Sequence, residues 1–250
     1  MPGLDSSRPI DLTGLIKLMR LIITRPRPDS EALRERLGAM GHDVMVEPML
    51  TIQTLTGAPL DLEDAAAVLL TSANGARALA QRTGARDLPV LAVGDATATT
   101  ARAAGFRDIA IAGGDVVALA ALVRQRLRPE DGVLVHVAGS AVAGDLAGDL
   151  GADGYQLRRA VLYQAEAAKR LSAQCRAALK AGKIDGILFF SPRGAATFVK
   201  LLQRDDLVDI CRSVELFGLS QAVADAAAPL PWKGQCIAAM PRQDALLALL

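Results

Sequence analysis

Short apolar runs alternate with longer Ala/Leu-rich stretches along the chain. Leu21-Ile22-Ile23-Thr24 is continuously hydrophobic and β-branched, as in a strand covered on both faces. Ser30 to Met40 carries a helical period, with Asp29 or Ser30 as the N-cap and Gly41 as the stop. Asp43-Val44-Met45-Val46 is the next strand. Ala67 to Thr71, Val90 to Val93, Ile109 to Ala112, Gly132 to Val137, Ile187 to Phe190, Val214 to Gly218 and Cys236 to Ala239 continue the series. Each leads into a helix or a turn that opens one. The alternation predicts an α/β fold, with parallel sheets covered by helices on both faces.

The pattern also repeats. Leu33, Leu37, Gly38 and Gly41 match Leu146, Leu150, Gly151 and Gly154. Leu69, Ser72, Gly75 and Ala76 match Leu188, Ser191, Gly194 and Ala195, and Gly94 matches Gly218, each glycine followed by a helix. The order is the same in both halves, so two similar α/β domains are expected. Residues 47–56 and 158–167 hold equivalent places, are strand-like, and read as a two-stranded linker. Residues 1–18 read as an N-terminal extension, and Met19 directly before the first strong strand is an alternative start.

Composition narrows the function classes. Half of the 250 residues are hydrophobic, which suffices for a sizeable core, and the net charge of +1 gives no global pull toward nucleic acid or anionic membrane. Aromatics at 3% are too few for a base-stacking platform. No apolar run approaches the roughly 20 residues that span a bilayer, and no long hydrophobic leader precedes the first strand. Cys175, Cys211 and Cys236 are widely spaced and read as inert thiols of a reducing cytoplasm.

Ligands of open α/β sheets bind outside the carboxyl ends of the strands. The turns expected there are Thr24-Arg25-Pro26, Thr71-Ser72-Ala73-Asn74-Gly75, Gly94-Asp95-Ala96-Thr97, Ala138-Gly139-Ser140, Ser191-Pro192-Arg193-Gly194 and Gly218-Leu219-Ser220-Gln221. Each offers free backbone N–H groups at a helix start, where the helix dipole favours anions. One such turn is an ordinary N-cap; six in two matching halves favour a polyanion site. Phosphate-loop, dinucleotide and nucleophile-elbow motifs are missing from the sequence. His42 and His136 lack a metal-ligand spacing. His42 follows a helix stop and is expected to face solvent, and His136 lies in a buried-strand pattern. Tyr163, on the second linker stretch, is the singular proton-donor candidate, because a phenol is protonated at neutral pH. A ring packed on the linker with its hydroxyl in water is the plainer alternative.

Taken in order, Thr24-Arg25-Pro26, Gly41-His42, Pro48, Thr71-Ser72, Val93-Gly94-Asp95-Ala96-Thr97-Ala98, Val161-Leu162-Tyr163-Gln164, Phe189-Phe190-Ser191-Pro192 and Gly218 resemble the uroporphyrinogen-III synthase family over about residues 19–250. Each motif is short, and the specificity lies in their joint order. The resemblance implies two α/β domains, 19–48 plus 167–250 and 55–158, joined by the linker strands, with the active site in a cleft. It implies a lyase that takes hydroxymethylbilane, a linear tetrapyrrole with eight carboxylates, removes its terminal hydroxyl as water, and closes the ring with ring D inverted through a spiro intermediate. No cofactor or metal is implied.

By residue, the resemblance makes Tyr163 the group that assists loss of the hydroxyl. It places Thr97 near the site and makes Ser72 and Ser191 the paired serines that open its turns. Arg25 and Arg193 become candidate carboxylate partners. Family members commonly carry Gly-x-x-Thr-Ala at the turn after Gly218, where Ser220 or Gln221 must supply the polar group here. They also commonly carry an arginine shortly after Gly139, where Ser140 is followed by Ala141, Val142 and Ala143. The expected setting is a cytoplasmic monomer, with at most transient contact with the preceding, hydroxymethylbilane-forming enzyme and no nucleic-acid or membrane partner. A non-catalytic small-anion-binding protein or a diverged family member is the competing reading.

Overall fold

The structure, a computed structural model, describes residues 18–141 and 144–250. The expected extension, apart from Leu18, lies outside the described residues, as do Val142 and Ala143. In chain order the first elements are β1 (Arg20–Ile23), α1 (Arg27–Ala39), β2 (Asp43–Val46), β3 (Leu50–Thr54), β4 (Ala65–Leu70), α2 (Ala73–Arg82), β5 (Val90–Ala92), α3 (Asp95–Ala103), β6 (Ile109–Ile111) and α4 (Val116–Arg126). They continue as β7 (Val133–Gly139), α5 (Leu146–Ala152), β8 (Leu157–Ala167), α6 (Ala173–Lys180), β9 (Gly186–Phe189), α7 (Pro192–Arg204), β10 (Glu215–Gly218), α8 (Gln221–Ala227), β11 (Gly234–Ile237) and α9 (Gln243–Leu247).

The chain forms two compact units, one from residues up to Thr51 and from Ala167 onward, the other from Ile52–Glu166. The first unit holds a parallel sheet in the order β11-β10-β9-β1-β2. One face is packed by Phe198, Leu202 and Val223 of α7 and α8 with Cys175 and Leu179 of α6. The other is packed by Leu33 and Leu37 of α1 and Leu246 and Leu247 of α9. Covering both faces is why β1 and β9 are apolar without alternation.

The second unit holds a sheet in the order β3-β8-β7-β4-β5-β6, in which β8, β7, β4, β5 and β6 are parallel. Ala76 and Leu79 of α2 and Ala101 of α3 cover one face. Leu119 and Val123 of α4 and Leu146 and Leu150 of α5 cover the other. β3 runs antiparallel to β8: the N–H of Leu55 donates to Leu162 O at 2.7 Å, and the N–H of Ala168 donates to Met49 O at 2.9 Å. Both passages of the chain between the units, at Thr51 and at Glu166, fall in this strand pair.

The internal repeat has a physical cause at two places. The N–H groups of Gly41 and His42 bond Gly38 O at 2.9 Å and Leu37 O at 3.1 Å, and those of Gly154 and Tyr155 bond Gly151 O at 3.0 Å and Leu150 O at 3.2 Å. These are two copies of one helix-ending motif. Each needs its closing glycine, at φ +94° for Gly41 and +86° for Gly154, in the left-handed region. Ser72 and Ser191 are the second matching pair. Both are extended N-caps whose hydroxyls accept the N–H of the glycine three residues on, at 3.1 Å in each case.

Three expectations need correction. α1 starts at Arg27, before the expected caps, because Pro28 fits the first turn; Pro26 holds the cap position and the Ser30 hydroxyl donates back to Arg25 O at 2.8 Å. Gly94 is the N-cap of α3, whereas Gly218 ends β10 and Ser220 caps α8. His42 does not face solvent. The left-handed turn at Gly41 folds it back against β1, where it is 5% exposed and its Nδ1 accepts the N–H of Met19 at 3.3 Å.

Candidate active site

In the second unit the chain leaves β4 and lays β5 and β6 on one side, then returns to lay β7 and β8 on the other. The reversal lies between β4 and β7, and adjacent turns part at such a point to leave room for a ligand. The turn after β4 carries Ser72, and β7 ends at Gly139 with Ser140 following.

Tyr163 reaches this point through a register slip. β7 and β8 pair regularly from Leu134 opposite Leu157 to Ala138 opposite Val161, and then Gly139 stands opposite Tyr163. Leu162 is the extra residue, anchored fully buried in the core. Such irregularities re-aim the side chain that follows. The Tyr163 ring occupies the space above Gly139: a Cβ there would lie 2.8 Å from its Cε2 and 2.9 Å from its Cζ. The Ser140 N–H donates to Tyr163 O at 3.0 Å, which fixes the backbone beside the ring. Gly139→Ala is expected to force the ring outward and to lower stability by about 1–2 kcal/mol, measured as a reduced urea midpoint. An unchanged midpoint would show that the ring yields without cost.

The phenol oxygen of Tyr163 lies 2.7 Å from Ser72 Oγ, which also accepts the Gly75 N–H. One residue before Ser72, Thr71 Oγ1 lies 3.2 Å from Nε2 of His136, a buried side chain of β7. Burial, and secondly the charge of Arg159, push the His136 imidazole from its ordinary 6.5 down to about 4, so it is neutral at pH 7. Arg159 of β8 donates to Gly139 O at 2.9 Å and to Ser140 O at 3.3 Å. This guanidinium stands at the turn where Ala141 follows Ser140. Sequence reasoning missed Arg159 and the Thr71–His136 pair. The available signal for His136 was a polar residue inside a strand otherwise apolar.

Of the residues singled out in sequence, Ser72, Gly75, Gly139, Ser140 and Tyr163 are brought together here. Ala73 opens α2, and Asn74 Oδ1 accepts from Arg77 at 2.8 Å. Thr97 is buried in the first turn of α3.

In the first unit the reversal lies between β1 and β9. The turn after β9 carries the Ser191 cap, with Pro192 and the exposed Arg193 in the first turn of α7 and Gly194 donating to the serine. The turn after β1 carries Arg25. Its guanidinium lies 4.8 Å from the centroid of the Phe190 ring, donates to Gln243 Oε1 at 2.7 Å and pairs with Asp29 at 3.6 Å. Ser220 caps α8 without a side-chain cap bond, and the Gln221 amide donates to Asp225 at 2.8 Å.

Among the described residues no cluster of three or more His, Cys, Asp or Glu is placed to hold a metal ion, and no helix is long and apolar enough to cross a membrane. Cys175 and Cys211 are buried, and burial pushes both thiols up to about 12, far from thiolate reactivity.

Residues 31–248 match the family described as uroporphyrinogen-III synthase HemD. Among solved structures, the chain is similar to uroporphyrinogen-III synthetase from Helicobacter pylori 26695, with a TM-score of 0.61, 16% identity, and 93% of this chain and 98% of that chain covered. It is also similar to a mutant uroporphyrinogen III synthase from the extremely thermophilic bacterium Thermus thermophilus, with a TM-score of 0.53, 16% identity, and 92% and 95% of the two chains covered. At these identities the structures establish a shared fold. No curated protein matches the chain.

Proposed function

Because the chain belongs to the uroporphyrinogen-III synthase family, we propose that this enzyme acts as a cyclising hydro-lyase on hydroxymethylbilane, with Tyr163 as the proton donor to the departing hydroxyl. The observation that carries the reading is the Tyr163 phenol held at the strand reversal, 2.7 Å from the Ser72 hydroxyl. Donation to the terminal hydroxyl lets it leave as water, and the pyrrole it leaves becomes an azafulvene-type electrophile. Ring D attacks at its substituted carbon to form the spiro intermediate, which reopens and recloses with ring D inverted.

The substrate is reactive without help, since unassisted closure gives the uninverted isomer. The larger task of the protein is therefore to hold one conformation. Backbone N–H groups and small hydroxyls suit carboxylates without demanding strong acids or bases. In the second unit the proposed carboxylate contacts are the backbone N–H groups of Ser72 to Asn74, with Gly75, Thr97, Gly139 and Ser140. In the first unit they are Arg25, Ser191 to Gly194, Gly218, Ser220 and Gln221. The proposed setting is a cytoplasmic monomer that meets the preceding enzyme only transiently.

The test supplies the protein with hydroxymethylbilane generated in place and separates isomers I and III after oxidation. Isomer III is expected to predominate. Folded protein that yields only isomer I would overturn the reading and favour a small-anion-binding protein.

A further inference from the structure

Ser72 carries two hydrogen bonds through one oxygen, and their directions decide what Tyr163 can do. The Gly75 N–H lands on Ser72 Oγ at 3.1 Å, so one lone pair is occupied. The second bond, to the Tyr163 phenol, has the 2.7 Å length usual for O–H···O. Two directions are open to it. If the phenol donated, its proton would be tied to Ser72 and could not reach a substrate. If Ser72 donates, the phenol proton is free. The serine proton then already points at the oxygen on which negative charge develops.

Taking Tyr163 as the donor to the departing hydroxyl, and resting on that reading, we propose that Ser72 is a positioning residue. It donates its hydrogen bond to the Tyr163 oxygen while the Gly75 N–H occupies one of its two lone pairs, and it stabilises the phenolate left after proton transfer. In that step the Tyr163 O–H bond breaks and its proton passes to the substrate hydroxyl oxygen. The C–O bond breaks with its electron pair leaving in water, and the pyrrole nitrogen lone pair forms the new double bond. The products are water, an azafulvenium cation and a phenolate. The Ser72 proton stays on Ser72 throughout, and its bond to Tyr163 strengthens as the acceptor becomes charged.

The same arrangement explains why a glycine stands at 75. A Cβ there would lie 3.2 Å from Val137 O, so the turn closes tightly only without one. The Gly75 N–H is thereby delivered to Ser72, while Gly139 leaves room for the ring whose oxygen accepts the serine hydrogen bond.

Two variants of Ser72 and one background test this. Ser72→Gly removes the donor but keeps an acceptable N-cap, so its urea midpoint serves as the folding control. It is expected to lower kcat about tenfold, the worth of one hydrogen bond to a charged acceptor, with KM changed less than about twofold. Ser72→Thr keeps both the cap and the donor, and is expected to recover at least about half of the wild-type kcat. In a Tyr163→Phe background, Ser72→Gly is expected to change kcat by less than about twofold, because the two residues act as a unit. Equal losses from Ser72→Gly in both backgrounds, or a Ser72→Thr variant as impaired as Ser72→Gly, overturn the donor role of Ser72 and leave Tyr163 untouched. An unimpaired Tyr163→Phe enzyme sinks the reading of Tyr163, and the role of Ser72 with it.

Discussion

Replacing Tyr163 with phenylalanine is expected to lower turnover of hydroxymethylbilane about a hundredfold, the low end of what a positioned general acid supplies. The low end applies because the hydroxyl of this substrate departs slowly even without an acid. The substitution removes one oxygen and leaves the ring on Gly139, and the Leu162 anchor and the Ser140 bond to the backbone of residue 163 are unaffected. Stability should therefore fall by no more than about 1 kcal/mol, the value of a single hydroxyl bond. The product should remain isomer III, since inversion depends on how the chain holds the bilane and not on how quickly water leaves. The check is kcat by isomer-resolved assay beside a urea titration of the same sample. Turnover equal to wild type would remove Tyr163 from the chemistry. Retained turnover with a shift to isomer I would instead assign it to conformational control.

How much of this was legible in the sequence depended on how local each signal was. The strands could be read because helices cover both faces of each sheet, which makes β1, β7 and β9 apolar at nearly every position. The Ser72 and Ser191 caps and the Gly41 and Gly154 stops are short-range devices, fixed by residues within a few positions of each other, and the sequence exposes such devices directly. The repeat even contained the correction for His42. It holds the position after the left-handed glycine that Tyr155 holds in the second copy, and both side chains are buried. Reading His42 as a solvent-facing turn residue overlooked that correspondence.

What sequence could not supply was register. Nothing in Val161-Leu162-Tyr163 says that Leu162 is the extra residue against β7, so nothing says that Tyr163 falls on Gly139. Arg159 was illegible for the same reason. Its guanidinium turns to the Gly139 and Ser140 carbonyls only once β8 is laid beside β7. The candidate residues were found as separate segments, and the pairing of β7 with β4 on one side and β8 on the other made five of them neighbours.

Acid should loosen this neighbourhood through His136. Its pKa is pushed from the ordinary 6.5 to about 4, first by burial and then by Arg159. The unfolded chain binds this proton once the pH falls below about 6.5, whereas the folded chain resists until about 4. The neutral imidazole thus contributes stability that is fully present above 6.5, is lost progressively between 6.5 and 4, and changes no further below 4. A shift of this size amounts to on the order of 3 kcal/mol, a large share of the stability of an ordinary domain. His136→Gln removes the titration while keeping an amide within reach of Thr71. Urea-unfolding free energies measured from pH 7.5 to 4 should therefore fall less steeply for the variant, by about that amount, with the difference confined to the window between the two pKa values. Carboxylates elsewhere titrate alike in both proteins and cancel in the comparison. Parallel curves would mean that His136 is protonated in the folded state without penalty. The consequence reaches the chemistry because Thr71, its hydrogen-bond partner, immediately precedes Ser72. A charged imidazole can only donate to the Thr71 hydroxyl, which fixes that hydroxyl as an acceptor at the base of the turn that aims the serine proton at Tyr163.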